Sequence, residues 1–197
     1  MTENQIGRIA VRFILTALAA VFMAGCAGVG KKIILPPEVP RDYWSEKKQN
    51  IPEREKKAVM DALEKVMLKA SSGASLESLG ISTLKESIVL LDNPKAAVPF
   101  IADAIEGKNL WSTKKNELYY WKFRYWCIDM AGYLNDKNFA EMLSSIISSE
   151  NEKNELRVRS VRTLREIKAK SVLKNLFMET GNSAIREEIA RALLSLD

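Results

Sequence analysis

A block of sequence that recurs in the C-terminal half constrains the fold of this chain more than any other feature. Each copy opens with an apolar residue and an arginine, and places small or apolar residues four, five, eight and eleven positions after the first. The copies begin at Phe123, Leu156 and Ile185, so their arginines lie 33 and 29 residues apart. The spacing matches one face of an α-helix, and a second apolar helix follows each of the first two copies. Helix pairs at a period of about 30 residues predict an α-solenoid, whose units bury their apolar faces against each other.

The chain between residue 50 and these copies also reads as helical. Apolar residues recur at three- and four-residue steps from Ala58 to Ala70, and Ser71-Ser72-Gly73 ends that helix. Asp92-Asn93-Pro94 predicts a turn in which Asn93 caps and Pro94 begins the next helix. No stretch alternates apolar and polar residues between turn signals, so the sequence predicts an all-α fold without a sheet.

The sequences of these units resemble the short bacterial HEAT-like repeats that were first named from phycobilisome lyase subunits. The matching pieces are Gly132-Tyr133-Leu134-Asn135-Asp136 and the degenerate Leu90-Leu91-Asp92-Asn93-Pro94. The resemblance covers residues 81–196 and is interrupted by a polar insertion at residues 107–117. It implies an α-solenoid of antiparallel helix pairs. Such repeats mostly present binding surfaces, so the resemblance names no partner.

The family also suggests a role for the arginine of each copy. In such repeats a basic residue at this position commonly bonds to an aspartate or to carbonyls in neighbouring turns. A half-buried guanidinium needs partners of this kind to offset its desolvation. The alternative is that these arginines bind a ligand. The implied structural ladder comprises Arg124, Arg157, Arg186, Asp92 and Asp136.

The first 26 residues have the layout of an export signal. Arg8 and Arg12 supply a positive N-terminal region. Residues 9–23 supply a short apolar stretch, which falls below the roughly 20 apolar residues of a spanning helix. The run ends in Met23-Ala24-Gly25-Cys26, which resembles the lipobox of bacterial lipoproteins. That resemblance implies diacylglycerol and acyl groups on Cys26 and no other cofactor, whereas a plain signal peptide or an uncleaved anchor remains the alternative. Ala27 replaces the aspartate that retains enteric lipoproteins at the inner membrane, which favours the outer membrane, facing the periplasm.

The chain therefore divides into three parts. Residues 1–25 are the predicted lipoprotein signal peptide, residues 26–50 the lipidated N-terminus and tether, and residues 51–197 the HEAT-like helical repeat domain. Three prolines at positions 36, 37 and 40 favour extended backbone, so we expect the tether to act as a semi-rigid spacer. Tyr43 and Trp44 interrupt it, and either pack on the first helix or contact a partner.

Composition excludes several classes of function. The chain has no histidine, which excludes Ser-His and Cys-His nucleophile pairs and imidazole metal sites. It has no Gly-rich phosphate loop and no cluster of metal-binding carboxylates, and its Ser-x-x-Lys pairs lack their usual companion motifs. The net charge of +5 is mild for an exported chain and argues against nucleic acid. We therefore expect no enzyme, no metal and no nucleic-acid partner.

Two side-chain clusters are candidates for a binding surface. Aromatic residues crowd the insertion and the helix after it, and arginines follow the polar face of the helix near Leu156. The aromatics either pack inside or anchor an interface. The arginines, with Lys168, Lys170 and Lys174, form either a basic ridge for an anionic partner or a solvated face that Glu155 and Glu166 neutralise. The predicted partner-binding residues are Trp121, Tyr125, Arg159, Arg162 and Arg165, with Trp111 as a mobile rim.

These observations predict a membrane-anchored lipoprotein that acts as a protein-binding or scaffold module of the bacterial cell envelope. Its partner would be an envelope protein of unknown identity. One alternative is an accessory subunit or enzyme of envelope biogenesis. The other is a protein that binds anionic lipid head groups through the basic ridge.

Overall fold

The structure is a computed structural model that describes residues 43–115 and 117–196. Within these ranges all regular structure is helical, and no strand is present. The described residues belong to one compact unit. The all-α prediction is confirmed. The α-helices are α1 (Tyr43–Gln49), α2 (Glu53–Ser71), α3 (Lys85–Asp92), α4 (Pro94–Glu106), α5 (Tyr120–Leu134), α6 (Ala140–Ser148), α7 (Asn154–Glu166), α8 (Lys170–Glu179) and α9 (Ser183–Leu194), and two 3₁₀ helices span Asn109–Thr113 and Lys137–Phe139.

Local sequence explains where several helices begin and end. Pro94 occupies the first turn of α4, where its missing N–H has no cost. Asn93 makes no side-chain cap there; its amide donates instead to the Val89 carbonyl, 2.8 Å away. Gly107 and Asn135 end α4 and α5 in the left-handed conformation, with φ of 66° and 52°. The stop at Asn135 sets the length of α5, which carries the candidate residues Trp121 and Tyr125.

The C-terminal helices pack in a regular order. Helix α5 contacts α7 and α7 contacts α9, while α6 contacts α8. Each intervening helix also packs against the one that follows it, so that α4 contacts α5, α6 contacts α7 and α8 contacts α9. The repeated apolar positions supply the buried core between these helices, including Ile128, Leu164 and Ile189, each with no exposed surface. The sequence period thus coincides with a period in helix contacts.

Helix α1 lies within the segment that the sequence assigned to the tether. It packs against α4. The Trp44 ring stacks on Phe139 with 5.5 Å between centroids, and the Tyr43 hydroxyl accepts a hydrogen bond of 2.8 Å from the Asn138 amide. Tyr43 and Trp44 therefore pack on the folded domain, where they contact Asn138 and Phe139. The described part of the predicted tether is helical rather than extended.

The membrane-related predictions fall largely outside the described ranges. Cys26, the predicted signal and residues 26–42 of the tether all precede the first described residue. Among residues 43–115 and 117–196, no helix has the length and apolar composition needed to cross a bilayer.

Candidate partner-binding surface

The insertion before α5 is folded against the core. Trp111, predicted as a mobile rim, is only 1% exposed, and its ring centroid lies 4.8 Å from that of Phe123. Tyr120 is equally buried and donates a 2.6 Å hydrogen bond to the Ala104 carbonyl. The prediction for Trp111 is wrong because the 3₁₀ turn at Asn109–Thr113 packs this indole against α5, which removes its large apolar surface from water.

Helix α5 is therefore covered on one side and open on another. Its aromatic stripe is divided: Phe123 and Trp126 are fully buried, whereas Tyr133 is 58% exposed. Trp121 and Tyr125 are half-buried and lie against the edge of the core. The Lys153 ammonium lies 5.3 Å from the Trp121 ring, in cation–π range. Of the predicted aromatic contacts, these two remain available to a partner.

Arg159 on α7 lies inside a network of charges instead of on an open ridge. Its guanidinium pairs with Asp129 of α5 and with both carboxylate oxygens of Glu166, at 2.8 and 2.9 Å. The side chain is only 12% exposed. Burial raises the pKa of Asp129, Arg159 opposes that shift, and Glu166 adds to it. The expected pairing with Glu155 is wrong, because the network joins α7 to α5.

A glycine makes room for this network. Gly132 lies on α5 opposite Glu166, and a Cβ placed there would overlap the Glu166 Oε2 atom and lie 3.2 Å from its Cδ. Only a residue without a side chain lets the Glu166 carboxylate reach its position beside Arg159. The glycine therefore has a packing role within α5 that offsets its poor helix propensity.

Of the two predicted arginines that form ion pairs, Arg159 and Arg162, Arg162 is the more exposed. Its Nε donates to Glu188 Oε1 of α9 at 2.7 Å, and 45% of its side chain remains exposed. The hydrogen bond to Glu188 raises the pKa of Arg162, and the nearby Tyr125 adds to the shift. Arg165 is half-buried in the last turn of α7. Because Arg159 and Arg162 are both paired with acids, the basic ridge carries less net charge than its sequence indicates.

The arginine of each repeated block makes the same kind of backbone contact. The Arg124 Nε donates to the Ile105 carbonyl at 2.7 Å, the Arg157 Nε to the Ile147 carbonyl at 2.9 Å, and the Arg186 Nη2 to the Thr180 carbonyl at 2.5 Å. These acceptors lie at the C-terminal ends of α4, α6 and α8, where carbonyls lack helical partners. A cation at this position also interacts favourably with the helix dipole.

The acidic partners implied for these arginines are different from those observed. Arg124 forms a bidentate ion pair with Glu152, in which Nη1 and Nη2 each donate to a carboxylate oxygen at 2.9 Å. Asp136 instead accepts hydrogen bonds from the backbone and side chain of Asn138, and Asp92 is exposed at the end of α3. The assignment of Asp92 and Asp136 to the ladder is therefore wrong. Glu152 was missed because it lies 28 residues after Arg124, outside the aspartate position of the repeat.

The described residues hold no cluster of side chains suited to bind a metal ion. No group of three or more His, Cys, Asp or Glu side chains in this part of the chain is arranged to hold a metal. Cys127 is fully buried without a disulfide, and burial raises the pKa of its thiol well above the ordinary value. In comparisons with known proteins, no family model, curated protein or solved structure matches the chain.

Proposed function

We propose that this chain is a lipid-anchored α-solenoid of HEAT-like helix pairs that binds a protein partner in the bacterial cell envelope. The repeated contact between a block arginine and the end of the preceding helix carries the solenoid part of the proposal. Arg124, Arg157 and Arg186 make it at the period of the sequence repeat. Equivalent contacts at a constant period are expected when similar units stack on each other.

The open side of α5 and α7 supports the binding part. Trp121, Tyr125 and Arg162 are partly exposed on these adjacent helices, and we call them the Trp121 face. Tyrosine, tryptophan and arginine are the residues most often found at the energetic centre of protein interfaces. The salt bridge to Glu188 holds Arg162 in place, which lowers the entropy lost when a partner binds.

The membrane part of the proposal depends on Cys26. Acylation there would tether the domain to the outer membrane, on its periplasmic side, and the acyl groups would be the only cofactor. Replacing Cys26 with alanine should leave an unprocessed precursor without acyl groups. Mature-sized protein that stays firmly membrane-bound in that variant would contradict the anchor.

The basic ridge gives less support to head-group binding as the main function. Two of its three arginines are engaged by acids, with Arg159 paired to Asp129 and Glu166, and Arg162 to Glu188. An anionic surface would have to compete with these pairs. A protein contact that adds to the Trp121 face would leave them intact.

The binding proposal is tested by in-cell cross-linking and capture of the full-length chain. Trp121→Ala and Arg162→Glu should each reduce capture of the same partner without changing its membrane attachment. Tyr133→Ala and Arg54→Glu are matched controls, because both residues are exposed and lie outside the Trp121 face. Each variant is also melted and its helix content measured by circular dichroism. Loss of folding in Trp121→Ala, or equal capture by all four variants, would contradict the assignment.

A further inference from the structure

A groove of about 620 Å³ opens beside the first described helix. It lies between α1, the N-terminus of α4 and the turn that follows α5, away from the Trp121 face. Its apolar lining includes Trp44, Val98, Pro99 and Leu134. The groove is therefore amphipathic, since its apolar lining adjoins four charged side chains, three lysines and one aspartate.

Three of those charges are positive and come from three separate elements. Lys47 lies on α1, Lys95 in the first turn of α4, and Lys137 in the turn after α5. All three are exposed, and none is paired with an acid of the described residues. The one acid lining the described groove, Asp136, has its Oδ1 occupied by two hydrogen bonds from Asn138. The positive end of the α4 dipole adds to the local potential.

We propose that this groove binds the anionic head group of a membrane phospholipid. Charge complementarity selects an anion, because three lysines without an acidic partner surround the opening and outnumber the one carboxylate, Asp136. The apolar lining favours an amphiphile over a fully polar anion, with the phosphate at the lysines and the start of the acyl chains against Trp44 and Leu134. Tyr43 and Trp44 at the rim are the residue types that concentrate at membrane interfaces.

The position of the groove in the chain agrees with this occupant. Sixteen residues separate Cys26 from Tyr43, and a segment of that length spans at most about 55 Å. A chain anchored at Cys26 thus keeps the groove within reach of the lipid surface. This argument rests on the proposed anchor, whereas the charge and shape of the groove do not.

The expected strength follows from the number of lysines. Each basic residue near an anionic surface contributes about five-fold to affinity, so removal of all three should weaken binding about 100-fold. The contact should also weaken as salt rises, because exposed charges are screened over about 10 Å at moderate ionic strength.

The test uses the full-length chain incorporated into lipid nanodiscs of phosphatidylcholine, with or without phosphatidylglycerol. Hydrogen exchange of the backbone amides is measured in each. We expect phosphatidylglycerol to slow exchange in α1 and in the first turns of α4, and added salt to reverse the effect. Lys47→Gln/Lys95→Gln/Lys137→Gln should abolish the slowing. The control Lys57→Gln/Lys65→Gln/Lys85→Gln removes the same charge from exposed lysines outside both the groove and the basic ridge, and the slowing should persist in it.

The outcomes distinguish failure of the groove proposal from failure of the Cys26 anchor proposal. Failure to co-elute with phosphatidylcholine discs would contradict the Cys26 anchor, and slowing by phosphatidylglycerol would still support the groove. Co-elution with both discs and equal exchange in α1 and α4 would overturn the groove. So would slowing that survives the triple groove variant. Slowing by a soluble poly-glutamate peptide and not by phosphatidylglycerol would replace the lipid with an acidic protein segment.

Discussion

Replacing Gly132 with alanine tests the contact between α5 and α7 at its tightest point. Alanine in place of glycine inside a helix normally stabilises by about 0.5–1 kcal/mol. Here the new Cβ would overlap Glu166 Oε2. The Glu166 carboxylate must move away, and Arg159, only 12% exposed, would lose two hydrogen bonds at 2.8 and 2.9 Å.

The free energy lost with these hydrogen bonds should exceed the free energy gained from the higher helix propensity of alanine. A hydrogen bond to a charged group contributes about 1.5–3 kcal/mol, and Arg159 would retain only Asp129 as an acidic partner. The two hydrogen bonds are counted as one contribution because they share one carboxylate. The net destabilisation is then about 1–2 kcal/mol, which lowers the melting temperature of a domain of this size by about 3–8 °C.

A double-mutant cycle measures this effect by urea unfolding. In Glu166→Ala only the Cβ of residue 166 remains, 3.5 Å from the new methyl group and in ordinary contact. Gly132→Ala should then stabilise by about 0.5–1 kcal/mol, so the sign of its effect reverses. Gly181→Ala is a control, because nothing lies within 4 Å of its added Cβ. If Gly132→Ala stabilises the wild type as much as it stabilises the Glu166→Ala variant, the argument from close approach is refuted.

Three further predictions concern buried polar groups. Arg157→Ala should lower the unfolding free energy by about 2–3 kcal/mol, because it leaves the Ile147 carbonyl unpaired. The exposed Arg186→Ala should cost about 0.5–1 kcal/mol, and equal losses in urea titrations would contradict the burial argument. Burial raises the pKa of Asp129 above its value in the unfolded chain. Lowering the pH from above the folded pKa towards the ordinary aspartate range should therefore increase the unfolding free energy of the wild type relative to that of Asp129→Asn. A difference between the two proteins that does not change with pH would refute this. The Cys127 thiol should resist alkylation until the protein unfolds, and rapid labelling of the native chain would contradict its burial.

Much of the helical layout could be predicted because it depends on local periodicity. The apolar steps between Ala58 and Ala70 and the stop near Gly73 correspond to α2, and Pro94 begins α4 as expected. These features depend on residues within one or two turns of each other. They do not require knowledge of which helix lies opposite.

The errors concern contacts between distant parts of the chain. The polar sequence around Trp111 gives no sign that its indole packs against Phe123. Helix α1 depends on Phe139 and Asn138, about 95 residues later, and its own sequence is too short for a stable isolated helix. Such partners depend on helix packing, which periodicity does not specify.

The candidate surface shows the same division. The helical positions of Trp121, Tyr125 and Arg162 could be predicted, and the structure brings them to neighbouring helices. The acids that pair with the arginines could not be predicted, because an Arg–Glu contact such as Arg162–Glu188 depends on the distance between α7 and α9. Local spacing predicted Glu155 as the partner of Arg159 and Glu166 as the partner of Arg162, whereas Glu166 binds Arg159 in the structure.

Site-specific photo-cross-linking in living cells tests the central claim most directly. A photoreactive phenylalanine analogue is placed at position 125 in the Trp121 face, and at position 133 on the same helix as the control. We predict one dominant cross-linked protein from position 125, and its absence from position 133 and from the Arg162→Glu background. Equal cross-linking from both positions, or none from position 125 while position 133 captures the partner, would contradict the assignment of this face.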